Sequence, residues 1–237
     1  DAAPVTHENF RQWVIEDNFC AGRPDWDKVG ATFTQDVHAF EAMKIRILNG
    51  GHQLIADAGE VLSVEYSSGC MDHSLSGDFF RKTAASEIAL QVAPVPGMTP
   101  AKYVDLIDSR FSNPEIIDTV RRVAFDGSSR QTGFILPTLR DALAKGDAFD
   151  GLALSQAIWA RMCEGTREDG SEIEPNDPIW DQLTKTAKAA KSNPQVWLEQ
   201  SDLYGDLADN QPFSARFSYW LTLIWADGLA AALRLYL

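Results

Sequence analysis

Four polar side chains on one predicted helix could do chemistry. In the stretch Asp36 to Glu60, DVHAFEAMKIRILNGGHQLIADAGE, the side chains are Glu41, Lys44, Asn49 and His52. At 100° per residue they fall within an arc of roughly 140°. Phe40, Met43, Ile47 and Leu54 fall together on another side. Ile45, Leu48 and Ile55 sit among the four polar groups, so the polar side is not an ordinary solvated face. Burying such groups without partners costs on the order of 2–7 kcal/mol for an uncharged group and more for a charge. The pattern predicts a mostly buried helix that either satisfies these groups internally or uses them.

The chemistry these types support is proton abstraction from an alcohol. A lysine desolvated by apolar neighbours has its pKa drawn down towards roughly 7–8, where it serves as a general base. An amide such as Asn49 donates to an oxygen as negative charge develops on it. An imidazole such as His52 orients a hydroxyl. Glu41, one turn before Lys44, would relay protons or tune the amine. Lys44 to His52 spans about 12 Å of helix axis, a gap that a lysine stem partly closes. Gly50 and Gly51 interrupt the helix at a cost in propensity, with close approach of a backbone or ligand as the expected return. The plainer alternative is a Lys44–Glu41 salt bridge beside a satisfied core histidine. A metal site is not expected, because His38, Glu41 and His52 lack a ligand spacing such as HExxH.

The rest of the chain must position that helix. Its 237 residues, 45% hydrophobic, are enough for a sizeable core. A net charge of −13 argues against nucleic acid and anionic membranes as partners. Three scattered cysteines, Cys20, Cys70 and Cys163, without a CxxC pair, fit a reducing, cytoplasmic compartment. The apolar run Phe217 to Leu237 is broken by Asp227 and Arg234, which favours a core helix over a membrane span. The chain opens on Asp1 and holds no GxGxxG, P-loop or other phosphate cradle, so an upstream partner segment is expected.

Helix signals dominate. Thr99-Pro100 and Asn113-Pro114 read as helix starts, Asp126-Gly127 and Gly146 as stops, and Pro94 to Gly97 as a loop. After Asn113-Pro114 a core stripe of Ile116, Ile117, Val120, Val123 and Ala124 is expected, with Asp118 and Arg122 paired at i, i+4. Helices are predicted over Asp78 to Val92, Phe134 to Lys145 and Leu152 to Cys163, and after Pro178 and Pro194. A last, central helix should run from about Phe213 to the end. GRPDW (Gly22 to Trp26) is a turn, and two to four strands are expected in residues 1–35 and near Val61 to Tyr66. The fold class is mainly α, a multi-helical domain with few short strands.

Lys44 to His52, KIRILNGGH, resembles the KxRxLNxxH signature of the long-chain polyol dehydrogenases, the mannitol dehydrogenase family. Phe10 to Val37, FRQWVIEDNFCAGRPDWDKVGATFTQDV, is similar to the family's QWVxED…AGRPxWxxxG segment. Ser109 to Arg122 and DGSSR (Asp126 to Arg130) match later blocks. The resemblance implies that Lys44 is the general base and Asn49 half of an oxyanion-type pocket. It makes His52 a hydroxyl contact, Glu41 part of a proton path, and Arg122 and Arg130 substrate contacts. It implies oxidation of a secondary hydroxyl of an open-chain polyol with NAD (or NADP) and no metal. D-mannitol to D-fructose leads, with D-arabinitol and D-sorbitol behind it. Residues 1–237 would then be the C-terminal substrate domain, with 1–35 as a connecting segment and the Rossmann cofactor domain absent from this chain. A monomeric intact enzyme is the expectation. A fructuronate (hexuronate) reductase is the enzymatic alternative. A helical interaction domain docking through Trp13 and Trp26 is the non-enzymatic one.

Overall fold

The structure is a computed structural model that describes residues 2–4, 8 and 10–237, so the start of the 1–35 segment lies partly outside the described residues. The expected single helix forms. Asp36 caps it by accepting from the Ala39 N–H at 3.0 Å. It then runs through Val37–Met43, a π-helical turn Lys44–Asn49, and Gly50–Val61. In the last segment every residue except His52 is buried. Its small residues Gly51, Ala56, Ala58 and Gly59 permit close approach, and a Cβ on Gly59 would stand 2.5 Å from Cys70 Sγ.

The second pillar is the helix Asp150–Met162, buried from Gly151 onward. It packs on Gly50–Val61 and on Gln211–Asp227. Around these two pillars stand Ser74–Thr83, Pro100–Phe111, Leu136–Lys145 and Trp180–Ala190. The Thr99 cap is as expected: its Oγ1 accepts from the Lys102 N–H, with Pro100 in the first turn. Gly146, at φ 72, ends Leu136–Lys145.

Three expectations shift. Asn113-Pro114 does not start a helix: Asn113 Oδ1 accepts from the Glu115 N–H in a local turn. The helix Val120–Ala124 begins after Thr119, whose Oγ1 accepts from the Arg122 N–H. Ile117 therefore lies outside the core stripe, 82% exposed. The C-terminal helix is not one piece, because Gly228 (φ 85) breaks it into Gln211–Asp227 and Leu229–Tyr236. It also keeps a wet side, with Tyr219 and Leu235 exposed. Among the described residues, no helix is long and apolar enough to cross a membrane.

The strands are few, as expected. Val14–Glu16 pairs in parallel with Thr32–Thr34, and Tyr66 bridges Thr119. Beside the strand pair, Trp13 and Trp26 stack at 5.1 Å and are 57% and 39% exposed.

Candidate active site

The π turn Lys44–Asn49 changes what periodicity alone implies. In an α-helix, positions five apart point about 140° away from each other. A π turn closes its hydrogen bond over five residues, which draws such positions towards one line. The Gly50 N–H donates to the Ile45 carbonyl in this way. Lys44 and Asn49 are five apart, so the turn narrows the angle between their positions on the helix.

Asn49 and His52 line a cavity of about 260 Å³ together with Arg122, Val123, Arg130 and Phe134. Three separate elements meet there. The helix Val120–Ala124 crosses Gly50–Val61 and carries Arg122. The turn Gly127–Arg130 delivers Arg130. It is entered through Asp126 at φ 59 and pinned where a Cβ on Gly127 would stand 2.7 Å from Trp159 Nε1. The Val123 carbonyl ties the elements together: it accepts from Arg130 Nη1 at 2.7 Å and from Gln53 Nε2 at 3.3 Å.

A second hollow of about 230 Å³ adjoins the first through Leu48, His52 and Arg122, and adds Ser67, Phe111 and Asp118. Arg122 Nε and Nη2 donate to the two oxygens of Asp118 at 2.6 and 2.5 Å. The expected i, i+4 pair is thus present, with Arg122 at the solvent side and Asp118 13% exposed. The His52 ring stacks on Phe111, centroids 4.2 Å apart at 17°. Glycine at position 51 permits this packing, since a Cβ there would meet Phe80 Cε2 at 2.6 Å and Phe111 Cε2 at 3.3 Å.

Burial lowers the His52 pKa from 6.5 to about 4; Asp118 opposes the shift, while Arg122, Arg130 and Arg110 reinforce it. The imidazole is therefore neutral at physiological pH and can accept or donate a hydrogen bond. A stability effect follows. Between pH 6.5 and 4 the unfolded chain binds a proton at this residue that the native state does not. Its contribution to stability is therefore present near pH 7 and is lost on acidification. Urea unfolding at pH 7 and pH 4.5 should show a loss smaller by about 2 kcal/mol in His52→Gln than in the parent. Equal losses would contradict the burial of this ring.

Lys44 and Glu41 are not gathered into either hollow. Both are exposed. The expectation of a lysine buried among apolar neighbours within this chain is corrected: the side of the helix that carries Lys44 and Glu41 is exposed. Glu41 does not pair with Lys44; its carboxylate faces His38 Nδ1 at 3.3 Å. Phe111, Phe134 and the Val123 carbonyl were not singled out from the sequence. They reach the site only through tertiary packing, and no local pattern marks them.

Larger hollows lie elsewhere, and their arginines are already engaged. Near the end of the central helix, in a hollow of about 520 Å³, Arg167 pairs with Glu60 at 2.7 Å and Arg121 donates to the Glu174 and Pro175 carbonyls. Beside the C-terminal helix, in one of about 620 Å³, Arg216 is taken up by Asp150. Among the described residues no group of three or more His, Cys, Asp or Glu could hold a metal.

The chain is 51% identical over 237 residues to a mannitol 2-dehydrogenase of Cereibacter sphaeroides, covering all of this chain and 50% of that protein. It is 32% identical over 240 residues to a mannitol 2-dehydrogenase of Aspergillus terreus, covering all of this chain and 48% of that protein. The chain thus spans about half the length of the curated relatives it matches. A Pseudomonas fluorescens mannitol 2-dehydrogenase, solved as a ternary complex with NAD and D-mannitol, superposes with a TM-score of 0.88 at 32% identity, over 96% of this chain and 46% of that one. A D-sorbitol dehydrogenase in substrate-free form gives 0.87 at 29% identity, over 95% and 46%. Residues 36–225, from the cap of the central helix to the C-terminal helix, match the family described as the mannitol dehydrogenase C-terminal domain. With the helical architecture, the KxRxLNxxH stretch and this match in agreement, the chain belongs to the mannitol dehydrogenase C-terminal domain family.

Proposed function

We propose that this chain is the substrate-holding half of an NAD-dependent polyol 2-dehydrogenase, and that D-mannitol, oxidised to D-fructose, is its leading substrate. The observation that carries the reading is the convergence of Asn49, His52, Arg122 and Arg130 on one cavity, immediately after Lys44 in a π turn. Lys44 takes the hydroxyl proton as general base. The Asn49 amide donates to the alkoxide oxygen as its charge develops. The neutral His52 ring holds a neighbouring hydroxyl, and Arg122 and Arg130 hold the rest of the polyol. Glu41, with His38 beside it at the surface, passes the proton from Lys44 to water. A bound nicotinamide supplies the acceptor for the hydride that leaves the carbinol carbon.

The residues of this chain fit the polyol and not the dinucleotide. Its parallel strand pair is joined through the short 3-10 helix Trp26–Val29, without a glycine-rich turn into a long helix. We assign the cofactor to an upstream Rossmann domain, with residues 1–35 as the connection. The exposed Trp13–Trp26 stack and the strand pair support this, being apolar surface and an open sheet edge, with Val14–Glu16 against the first segment of the central helix, Val37–Met43. Cys20, Cys70 and Cys163 are all unpaired, which supports a cytoplasmic setting. The hexuronate alternative gains little, since the Arg122 charge is already matched by Asp118.

The test is D-mannitol oxidation with NAD, with D-arabinitol, D-sorbitol and NADP compared in the same assay. The full-length protein should turn over and residues 1–237 alone should not. Turnover by residues 1–237 alone would refute the division of labour. An inert full-length protein would refute the reading itself.

A further inference from the structure

Five buried polar side chains form one line that ends beside the polyol cavity. Trp197 Nε1–H donates to the Tyr204 oxygen at 2.7 Å, and Tyr204 O–H donates to Gln156 Oε1 at 3.0 Å. Gln156 Nε2 donates to Gln131 Oε1 at 2.7 Å, and Gln131 Nε2 donates to Asp57 Oδ2 at 2.7 Å. None of the five residues is more than 2% exposed.

The polarity of this line is set by its first member. An indole N–H can only donate, so the tyrosine oxygen must accept and its own proton must point onward. Gln156 then has to turn its oxygen to Tyr204 and its amino group to Gln131. Gln131 has to turn its amino group to Asp57, where the line ends on an acceptor. Neither amide can flip alone without setting like against like at the Gln156–Gln131 link. A connected buried line of this kind favours one arrangement, because a broken link leaves a further polar group unpaired in low dielectric; at its end Asp57 Oδ2 is bonded, while Asp57 Oδ1 has no hydrogen-bond partner among the described residues.

Gln131 is the pivot between this line and the cavity. It directly follows Arg130 and opens the π turn Gln131–Ile135. That turn carries Phe134 into the cavity wall and sets Ile135 Cδ1 3.4 Å from where a Gly50 Cβ would stand. Burial, reinforced by Glu60, pushes the Asp57 carboxyl well up, and Arg130 is the cation that opposes it. We propose that Gln131 is a positioning residue for the polyol: held by Gln156 on one side and Asp57 on the other, it fixes the turn from which Arg130 and Phe134 face the substrate. This rests on the polyol reading above.

The test is steady-state kinetics of D-mannitol oxidation by the full-length protein, with melting temperatures measured alongside. Tyr204→Phe keeps the ring and removes the hydroxyl in the middle of the line; Gln131→Met removes the pivot. Both should raise the mannitol KM about five- to tenfold while kcat stays within about twofold, as expected when binding common to ground and transition states is weakened. In an Arg130→Ala background, Tyr204→Phe should raise KM by less than it does in the parent, because only the Phe134 part of the route to the substrate remains. If Gln131→Met does not fold, the milder Tyr204→Phe and its double mutant decide alone. A lowered melting temperature with an unchanged mannitol KM would overturn the proposal, leaving a purely structural network. So would Tyr204→Phe and Arg130→Ala effects that simply multiply. A parent protein without polyol turnover would overturn the underlying reading as well, and is distinguishable from both.

Discussion

Lys44→Ala in the full-length protein should lower kcat/KM for D-mannitol by about 10³-fold or more and leave the fold untouched. A positioned general base contributes about 10²–10⁴-fold, and without the Lys44 amine the proton would have to pass to water. Three orders of magnitude correspond to about 4 kcal/mol of transition-state stabilisation. The fold should survive because Lys44 is exposed, and surface substitutions of this kind stay within about 0.5 kcal/mol. Both halves of the result matter. A docking domain would show the opposite pattern, with turnover kept and partner binding changed. The measurement is kcat/KM together with a thermal melt, and added methylamine should restore part of the lost rate. Retention of more than a tenth of the parent activity would remove Lys44 from the mechanism.

The same residue marks where sequence reasoning stops. Counting apolar neighbours at helical spacing gave Lys44 a desolvated setting, but periodicity describes the helix and not what covers it. Within this chain Lys44 is exposed, while Gly50–Val61, the segment that follows the π turn, is buried almost throughout. Asn49 and His52 were legible because both lie on one helix, and their relation depends only on spacing. The π turn was not: an i→i+5 bond leaves no residue pattern that differs from an α-helix with a polar stripe. Arg122 was legible twice over, as the i, i+4 partner of Asp118 and through the family resemblance, and the structure keeps both its pairing and its place in the cavity. Arg130 depends on a left-handed Asp126 and on Gly127 lying against Trp159, a contact 32 residues away in sequence. Ile117 was misplaced because Thr119, not Asn113, is the residue whose side chain caps the helix. The Asp57–Gln131 line went unread for a related reason. Gln53, Asp57 and Glu60 interrupt an otherwise apolar helix, a signal of buried partners, but the partners are 70 or more residues away.

The two adjacent glycines in the middle of this helix should respond oppositely to alanine. At Gly50 a Cβ would meet Ile135 Cδ1 at 3.4 Å and Phe134 O at 3.8 Å, ordinary contacts. Gly50→Ala should therefore keep most of the helix-propensity gain and stabilise the protein by about 0.5–1 kcal/mol. At Gly51 the added carbon would stand 2.6 Å from Phe80 Cε2 and 3.3 Å from Phe111 Cε2. Both rings are buried, and Phe80 is fully so. Phe80, the nearer ring, is enclosed in the core, and overpacking of this kind costs about 1–3 kcal/mol. Gly51→Ala should thus be destabilising by about 2 kcal/mol despite the same propensity gain. Phe111 also carries the His52 ring on its face, so its displacement should tilt the imidazole and raise the mannitol KM in the full-length protein. Urea unfolding of the two single variants provides the comparison. Equal responses at the two positions would mean that backbone propensity alone governs them, and that the close packing of Phe80 and Phe111 on the helix has no bearing on how His52 is held.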